Sequence, residues 1–215
     1  MKVLILNGSP RAKGTTAALL HMIENELVSN EFEVDFFDLG NIRMSHCKGC
    51  SSCYRTGRCI IDDDAEKISQ MIGEADGIVI GSPTYASNVS GVMKDFIDRG
   101  HFVIEQLLHD KYCITVATGE NYGSRDALKV MDNLVLFSGG KLCCHLRVRT
   151  PLNEELQSVK RISGRMINAM QRKKMFPVQK LIHAFIFNFG IRPFVKRKGT
   201  AYSGVAEKWE RLGIL

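Results

Sequence analysis

The order of the chain's apolar runs limits the folds open to it more than any single motif. Lys2–Asn7 is a continuous apolar run, the pattern of a strand covered on both faces. Thr15–Ser29 carries Leu19, Leu20, Ile23 and Leu27 at helical spacing. Phe32–Leu39 is then expected to be a strand, Ala65–Glu74 a helix and Gly77–Gly81 a short buried strand. Further on, Gly91–Leu108 is expected to be a helix, Tyr112–Thr118 a strand, Ser124–Phe137 a helix, Lys141–Arg149 a strand and Glu154–Arg172 a helix. Five strands alternating with helices predict an α/β fold, a doubly wound five-stranded parallel sheet. With 215 residues the chain suits one main domain, expected over 1–173, and an appendage over 174–215.

No stretch reaches the roughly 18 apolar residues of a membrane span, and Lys2–Asn7 is too short for a signal-peptide core. These features predict no transmembrane segment and a cytoplasmic location. In that compartment the seven cysteines are expected to be reduced, which favours metal or redox chemistry over structural disulfides. The formal charge of +6 is uneven. Residues 151–215 hold 13 Lys/Arg against 4 Asp/Glu, whereas residues 1–150 hold 16 against 19. A basic tail suits a phosphate, an acidic partner, nucleic acid or a membrane surface, or is simply a solvated helical face. No recognition-helix or zinc-finger spacing is visible, so no nucleic-acid partner is expected.

In a doubly wound sheet ligands bind beyond the carboxyl ends of the strands. Three loops of unusual composition leave those ends. Asn7-Gly-Ser-Pro-Arg-Ala-Lys-Gly-Thr-Thr16 joins the first strand to the first helix. A helix N-terminus attracts anions through its free N–H groups. Ser9, Thr15 and Thr16 add hydroxyls, Arg11 a cationic fork, and Gly14 room for close approach. The Walker order Gly-Lys-Ser/Thr and the fingerprint G-x-G-x-x-G are both absent. A single phosphate, as in FMN, suits this loop better than a triphosphate; a plain turn with an N-cap at Ser9 or Thr15 is the simpler alternative. Gly81-Ser-Pro-Thr-Tyr-Ala-Ser-Asn-Val-Ser-Gly91 offers backbone donors, the stiff exit of Pro83 and the face of Tyr85, suited to a flat heterocycle. Thr118-Gly-Glu-Asn-Tyr-Gly123 has the same character.

Between the second strand and the helix at Ala65 lies a long loop, 43–64, holding Cys47, Cys50, Cys53 and Cys59 in the spacing C-x2-C-x2-C-x5-C. Loops of such length in compact domains are usually functional. Four thiolates satisfy the ligand count of a [4Fe-4S] cluster, and also of tetrahedral zinc. A metal-free set of thiols is the third alternative. Cys113, Cys143 and Cys144 fall inside expected strands and are read as small hydrophobes. His46 is expected to be a solvated loop histidine. Asp63 or Asp64 is expected to cap the following helix.

Gly8-Ser-Pro-Arg11, the cysteine run with Asp62-Asp63 after it, Ser82-Pro-Thr-Tyr85 and Ser90-Gly-Val-Met-Lys-Asp-Phe-Ile-Asp-Arg99 together resemble the NADPH-dependent FMN reductase family of flavodoxin-like proteins. The cysteine spacing resembles its iron–sulfur flavoproteins. The resemblance covers roughly residues 1–150. It implies a flavodoxin-like fold, bound FMN and a homodimer or homotetramer. It also implies that Ser9, Arg11, Gly14, Thr15 and Thr16 hold the phosphate. Pro83, Thr84, Tyr85 and Asn88 would hold the ring, and Thr118, Gly119, Glu120 and Tyr122 would flank its other edge. The expected function is an FMN-dependent oxidoreductase. Electrons would pass between NAD(P)H or a reduced carrier and a small-molecule or protein acceptor, directly or through a cluster at Cys47, Cys50, Cys53 and Cys59. An electron carrier without turnover, or a redox or iron sensor, is the alternative. No catalytic side chain is assigned, since the cofactor carries the hard chemistry.

Residues 174–198 match no family motif. Met175, Phe176, Val178, Leu181, Ile182, Phe185, Ile186, Phe187 and Phe189, followed by Arg192–Lys198, form a basic amphipathic helical extension interrupted at Pro177. A lid, a dimer arm and a peripheral membrane contact are its functional readings. A helix packed on its own domain or on a partner subunit is the preferred one. Tyr202–Leu215 is expected to be a short helix anchored by Trp209.

Overall fold

The computed structural model describes residues 1–149 and 155–214. Five parallel strands form the main sheet: β1 (Lys2–Asn7), β2 (Glu33–Asp38), β3 (Gly77–Tyr85), β5 (Tyr112–Gly119) and β6 (Lys141–Arg149). Their order is β2-β1-β3-β5-β6, and the two-residue β4 (Asn88–Val89) pairs antiparallel with the end of β3. The order reverses between β1 and β3, so the switch point, where such sheets bind ligands, lies there.

Alternation along β1 shows how the core is built. Val3 and Ile5 face one layer with α1 (Thr15–Val28) and α7 (Leu156–Gln171). Leu4 and Leu6 face the other with α3 (Asp64–Glu74), α4 (Gly91–Arg99) and α6 (Ser124–Phe137). All four residues have 0% exposure, because both faces of a parallel sheet are covered and no polar side is needed.

Three expectations change within the main domain. The cysteine loop is not wholly irregular: α2 (Ser52–Thr56) forms within it and ends at Gly57 with φ 74°. Gly91–Leu108 is not one helix. It breaks at Gly100 and His101, the latter left-handed at φ 50°, before the short α5 (Phe102–Glu105). The break seats the Phe102 ring against Gly100, where a Cβ would stand 2.2 Å from that ring. Finally, β3 runs past Gly81 to Tyr85, so much of the ring loop is hairpin rather than coil.

Pro177 does not interrupt a helix but starts one, α8 (Pro177–Ile186), from its first turn. A π-helical turn at Phe187–Ile191, α9 (Arg192–Lys198), a 3-10 turn at Gly199–Tyr202 and α10 (Ser203–Arg211) follow. These build a third, smaller core around Phe187, Val195, Val205 and Trp209. It docks on the cysteine loop and on α5. Tyr202 stacks on Tyr54 at 4.7 Å, Ser203 Oγ donates to the Arg55 carbonyl at 3.0 Å, and Trp209 Nε1 donates to the Ile104 carbonyl at 3.0 Å.

Candidate cofactor cleft and cysteine loop

The three unusual loops converge at the carboxyl ends of β1, β3 and β5. They enclose a cleft of about 800 Å³ lined by Arg11, Thr15, Pro83, Thr84, Tyr85, Ala86, Ser87, Thr118, Gly119, Glu120, Asn121 and Tyr122. That volume lies in the range of cofactor pockets, ~300–1,000 Å³. Nine of the thirteen residues expected to touch a cofactor line it. Ser9, Gly14, Thr16 and Asn88 stand behind it or beside it.

Their positions are explained by hydrogen bonding. Asn7, wholly buried at the end of β1, donates to Asp38 Oδ1 at 2.6 Å and accepts from the Ser9 amide at 3.1 Å. Ser9 Oγ then accepts from the Arg11 amide at 3.1 Å, while Gly14 donates to the Arg11 carbonyl at 3.1 Å. The loop is therefore wound by its own polar groups and presents Arg11 and Thr15 outward. Neither Ser9 nor Thr15 caps α1; Gly14 occupies that position with no side-chain bond. Thr16 and Thr118 bond hydroxyl to hydroxyl at 2.8 Å, which ties the first loop to the third.

The ring loop is shaped by backbone torsion. Ala86 and Ser87 both have positive φ, 48° and 60°, in the two-residue turn that joins β3 to β4. Such turns normally take Asn or Gly, so two L residues held there carry local strain of order 1 kcal/mol or more each. Gly123 closes the opposite wall at φ 85°, where a Cβ would lie 2.6 Å from Ser87 Oγ. Asn88 is exposed, and its Oδ1 accepts from the next amide at 2.8 Å.

The cleft meets the requirements of a flavin mononucleotide on three observations. Thr84 Oγ1 is buried and has no protein partner, which is costly unless a ligand satisfies it. Tyr85 (44% exposed) and Tyr122 (86% exposed) leave two aromatic faces open at the rim. Among the described lining residues Arg11 is the one cation and sits on the side of the helix α1 N-terminus, where a phosphate is best received. Ser87 lines the cleft as one of the polar edges the ring loop offers, whereas Ala86 and Asn121 carry no such sign in the sequence. Backbone torsion places Ala86, and a residue's identity gives little sign of it.

The cysteine loop is anchored at both ends by one buried ion pair. Arg99 donates to Asp63 Oδ2 at 2.7 Å and Oδ1 at 2.8 Å, and also to the Ser45 carbonyl at 2.7 Å. Both side chains are nearly inaccessible, at 1% and 2% exposure. Asp63 further accepts from the Ser45 amide at 2.9 Å and caps α3 through Ala65 at 3.2 Å, as expected of that position. Burial alone would raise its pKa, but the guanidinium and these amides outweigh burial and hold the carboxyl below its ordinary value. In the sequence Arg99 is simply the last residue of the Ser90–Arg99 motif; its role depends on a contact 36 residues away.

Within the loop Cys47 and Cys50 are exposed, Cys59 is half-buried and Cys53 is buried. Burial, reinforced by the charge of Glu105, pushes the Cys53 thiol up to about 12. Among the described residues no group of three His, Cys, Asp or Glu side chains is drawn together for a metal ion. Four thiols equal the ligand count of a cluster, but they are not gathered around one point in this arrangement. His46 is solvent-exposed, as expected, and pairs with Asp95 at 2.7 Å. Cys113 is buried in β5, while Cys143 and Cys144 are half-buried in β6.

Known proteins are similar along the whole chain. An iron–sulfur flavoprotein of Clostridioides difficile (strain 630) is 35% identical over 225 residues, covering 100% of both chains. One from Methanocaldococcus jannaschii is 34% identical over 139 residues, 63% of this chain and 72% of its own. The crystal structure of oxidised flavodoxin 1 from Bacillus cereus superposes with a TM-score of 0.59 at 14% identity, covering 78% of this chain and 98% of that one. This last likeness bears on the fold alone, which is flavodoxin-like. A model of the NADPH-dependent FMN reductase family matches residues 1–141, and the chain belongs to that family, within its iron–sulfur flavoprotein-like subgroup.

Proposed function

We propose that the protein binds FMN in the cleft between the three loops and passes electrons from NAD(P)H or a reduced carrier to an acceptor. The observation that carries this reading is the convergence of Arg11, Thr84, Tyr85 and Thr118 on one cleft of about 800 Å³ at the switch point of the sheet. Arg11, Thr15 and the N–H groups opening α1 would hold the phosphate. Ser9, Gly14 and Thr16 act indirectly, by winding the loop and tying it to Thr118. Pro83, Thr84 and Tyr85 would hold one edge of the ring, with Asn88 supporting the hairpin turn. Thr118, Gly119, Glu120 and Tyr122 would flank the other edge.

When bound, FMN supplies the exchange of electrons in pairs or singly. The chain's own task is to orient the ring, neutralise charge near it and limit water. The backbone at 84–87 is held between β3 and β4, and that at 118–120 between the end of β5 and α6, so these donors need little rearrangement when charge changes. Arg11 and the helix end favour the anionic phosphate by simple Coulomb attraction.

The four cysteines form the second part of the proposal. Cys47, Cys50, Cys53 and Cys59 match the ligand count of a [4Fe-4S] cluster, and the relatives named iron–sulfur flavoproteins support that choice over zinc. A cluster moves single electrons, so it would open one-electron partners to the protein. We further propose a cytoplasmic homo-oligomer, with 1–173 as the cofactor domain and 174–215 as an extension that braces the cysteine loop.

Anaerobic purification with flavin, iron and sulfide measured on one sample tests both parts. FMN near one per chain, about four irons and NAD(P)H oxidation with an artificial acceptor are expected. A chain with no flavin after reconstitution with FMN overturns the first part. Flavin without iron in oxygen-protected protein overturns the second. Arg11→Ala should weaken FMN binding by about tenfold or more, the worth of one charge-assisted hydrogen bond.

A further inference from the structure

The extension leaves one large apolar surface uncovered. On α8 and the turn after it, Val178, Leu181, Ile182, Phe185 and Phe189 recur at helical spacing, and Met175 precedes them. They are 44–75% exposed: Phe189 75%, Leu181 72%, Val178 68%, Phe185 66%, Met175 64% and Ile182 44%. The opposite side of the helix is tied to the domain. Gln179 exchanges two hydrogen bonds with Leu142 at 2.9 Å each, and His183 bonds Gln106 at 2.6 Å. The apolar stripe therefore faces outward because its polar counterpart is anchored inward. Contiguous apolar surface of this kind marks an interaction site.

Charge identifies what covers it. Residues 173–198 contain Lys173, Lys174, Lys180, Arg192, Lys196, Arg197 and Lys198 and no acidic residue. Exposed cations bracket the stripe, Lys173 and Lys174 before it and Lys196–Lys198 after it. A second copy meeting this face through a two-fold axis would bring the same cations against one another. An apolar stripe between cationic ends instead complements a bilayer surface, with apolar groups below anionic headgroups. No helix among the described residues is long and apolar enough to cross a membrane, so the contact is peripheral.

We propose that α8 and the turn following it dock the protein on anionic membrane surfaces, with Phe185 and Phe189 inserted and Lys173, Lys174 and Lys196–Lys198 against the headgroups. The helix lies beside the amino ends of β5 and β6, where Phe176 meets Tyr112 and Gln179 meets Leu142. Docking there leaves the cleft at the carboxyl ends open to the solvent side.

The test is flotation of the full chain with phosphatidylcholine vesicles, with or without phosphatidylglycerol, alongside light scattering of the free protein. Binding is expected only to the anionic vesicles, weakened by salt. Removing each phenyl ring should weaken it by about tenfold or more, by analogy with burial of a large apolar side chain. The double variant Phe185→Ser/Phe189→Ser should float at least a hundredfold less well by the same reasoning, with flavin content and molar mass unchanged. Two results overturn the proposal. One is absence of wild-type binding to anionic vesicles. The other is a fall in molar mass in the double variant, which would make the stripe an interface between copies. Lys196→Glu/Lys198→Glu separates the electrostatic part and should weaken binding while leaving solubility intact.

Discussion

Arg99 and Asp63 form a two-pronged ion pair, at 2.7 and 2.8 Å, that closes the base of the cysteine loop. The same guanidinium holds the Ser45 carbonyl, and the same carboxylate holds the Ser45 amide. One contact thereby fixes both ends of a segment that has little core of its own. Cys47 and Cys59 leave and re-enter the protein from anchored points, which reduces the ordering entropy any bound centre must overcome.

Breaking that pair should be expensive. Arg99→Ala leaves a buried carboxylate without its cation, so a loss of roughly 3–5 kcal/mol is expected, measured by urea unfolding. A pH series adds a sign. The carboxyl's folded pKa lies below its ordinary 3.8, so its contribution is complete above that value and fades as pH falls beneath it. Asp63→Asn should remove this acid-dependent share, giving a shallower fall in stability below about pH 3.8.

Glu105 and His101 give opposed pH dependences. Burial raises Glu105 to about 7 although Lys208 pairs with it, and burial lowers His101 to about 4. Between 4.5 and about 7 the folded chain keeps a proton on Glu105 that the unfolded chain releases, so this group makes stability fall as pH rises. Between about 4 and 6.5 the unfolded chain binds a proton that folded His101 refuses, so this group makes stability rise. His101 Nδ1 lies 3.5 Å from Glu105 Oε1, so the two titrations are joined. Glu105→Gln should remove the falling share, with thermal stability climbing more steeply between pH 4.5 and 6.5 than in the parent.

Gly123→Ala should damage the cleft more than its size suggests. A Cβ there meets Ser87 Cα at 2.7 Å from a backbone at φ 85°. The ring-loop turn must shift or Gly123 must leave its conformation. A stability loss of about 1–3 kcal/mol is expected, together with weaker FMN binding by fluorescence titration. Retained FMN affinity would show that the two loops do not act jointly on the cofactor.

Gln179 and Leu142 offer a local test. β6 is an edge strand, and the Gln179 amide satisfies both outward groups of Leu142 at 2.9 Å, as a neighbouring strand would. Gln179→Ala should cost about 1–2 kcal/mol. It should also speed hydrogen exchange at the Leu142 amide well before exchange rises in β1 or β3.

The strand–helix succession was legible because its causes are local. The runs of β1 and β5 have no polar face to hide, and α6 and β6 start just after glycines, Gly123 and Gly140. Arg11, Thr15, Tyr85 and Thr118 were likewise visible, since loops leaving parallel strands must share one edge. The sequence by itself therefore determined the sheet, the position of the cleft and the four-thiol run, all consequences of hydrophobic period and connection rules. Tertiary structure decided the rest. It paired Arg99 with Asp63, broke the helix at His101, set the torsions of Ala86 and Ser87, and turned the stripe of Phe185 and Phe189 outward. Each of these depends on burial or on contacts between distant segments, and a side chain's partner across the fold leaves no periodic trace in the order of residues.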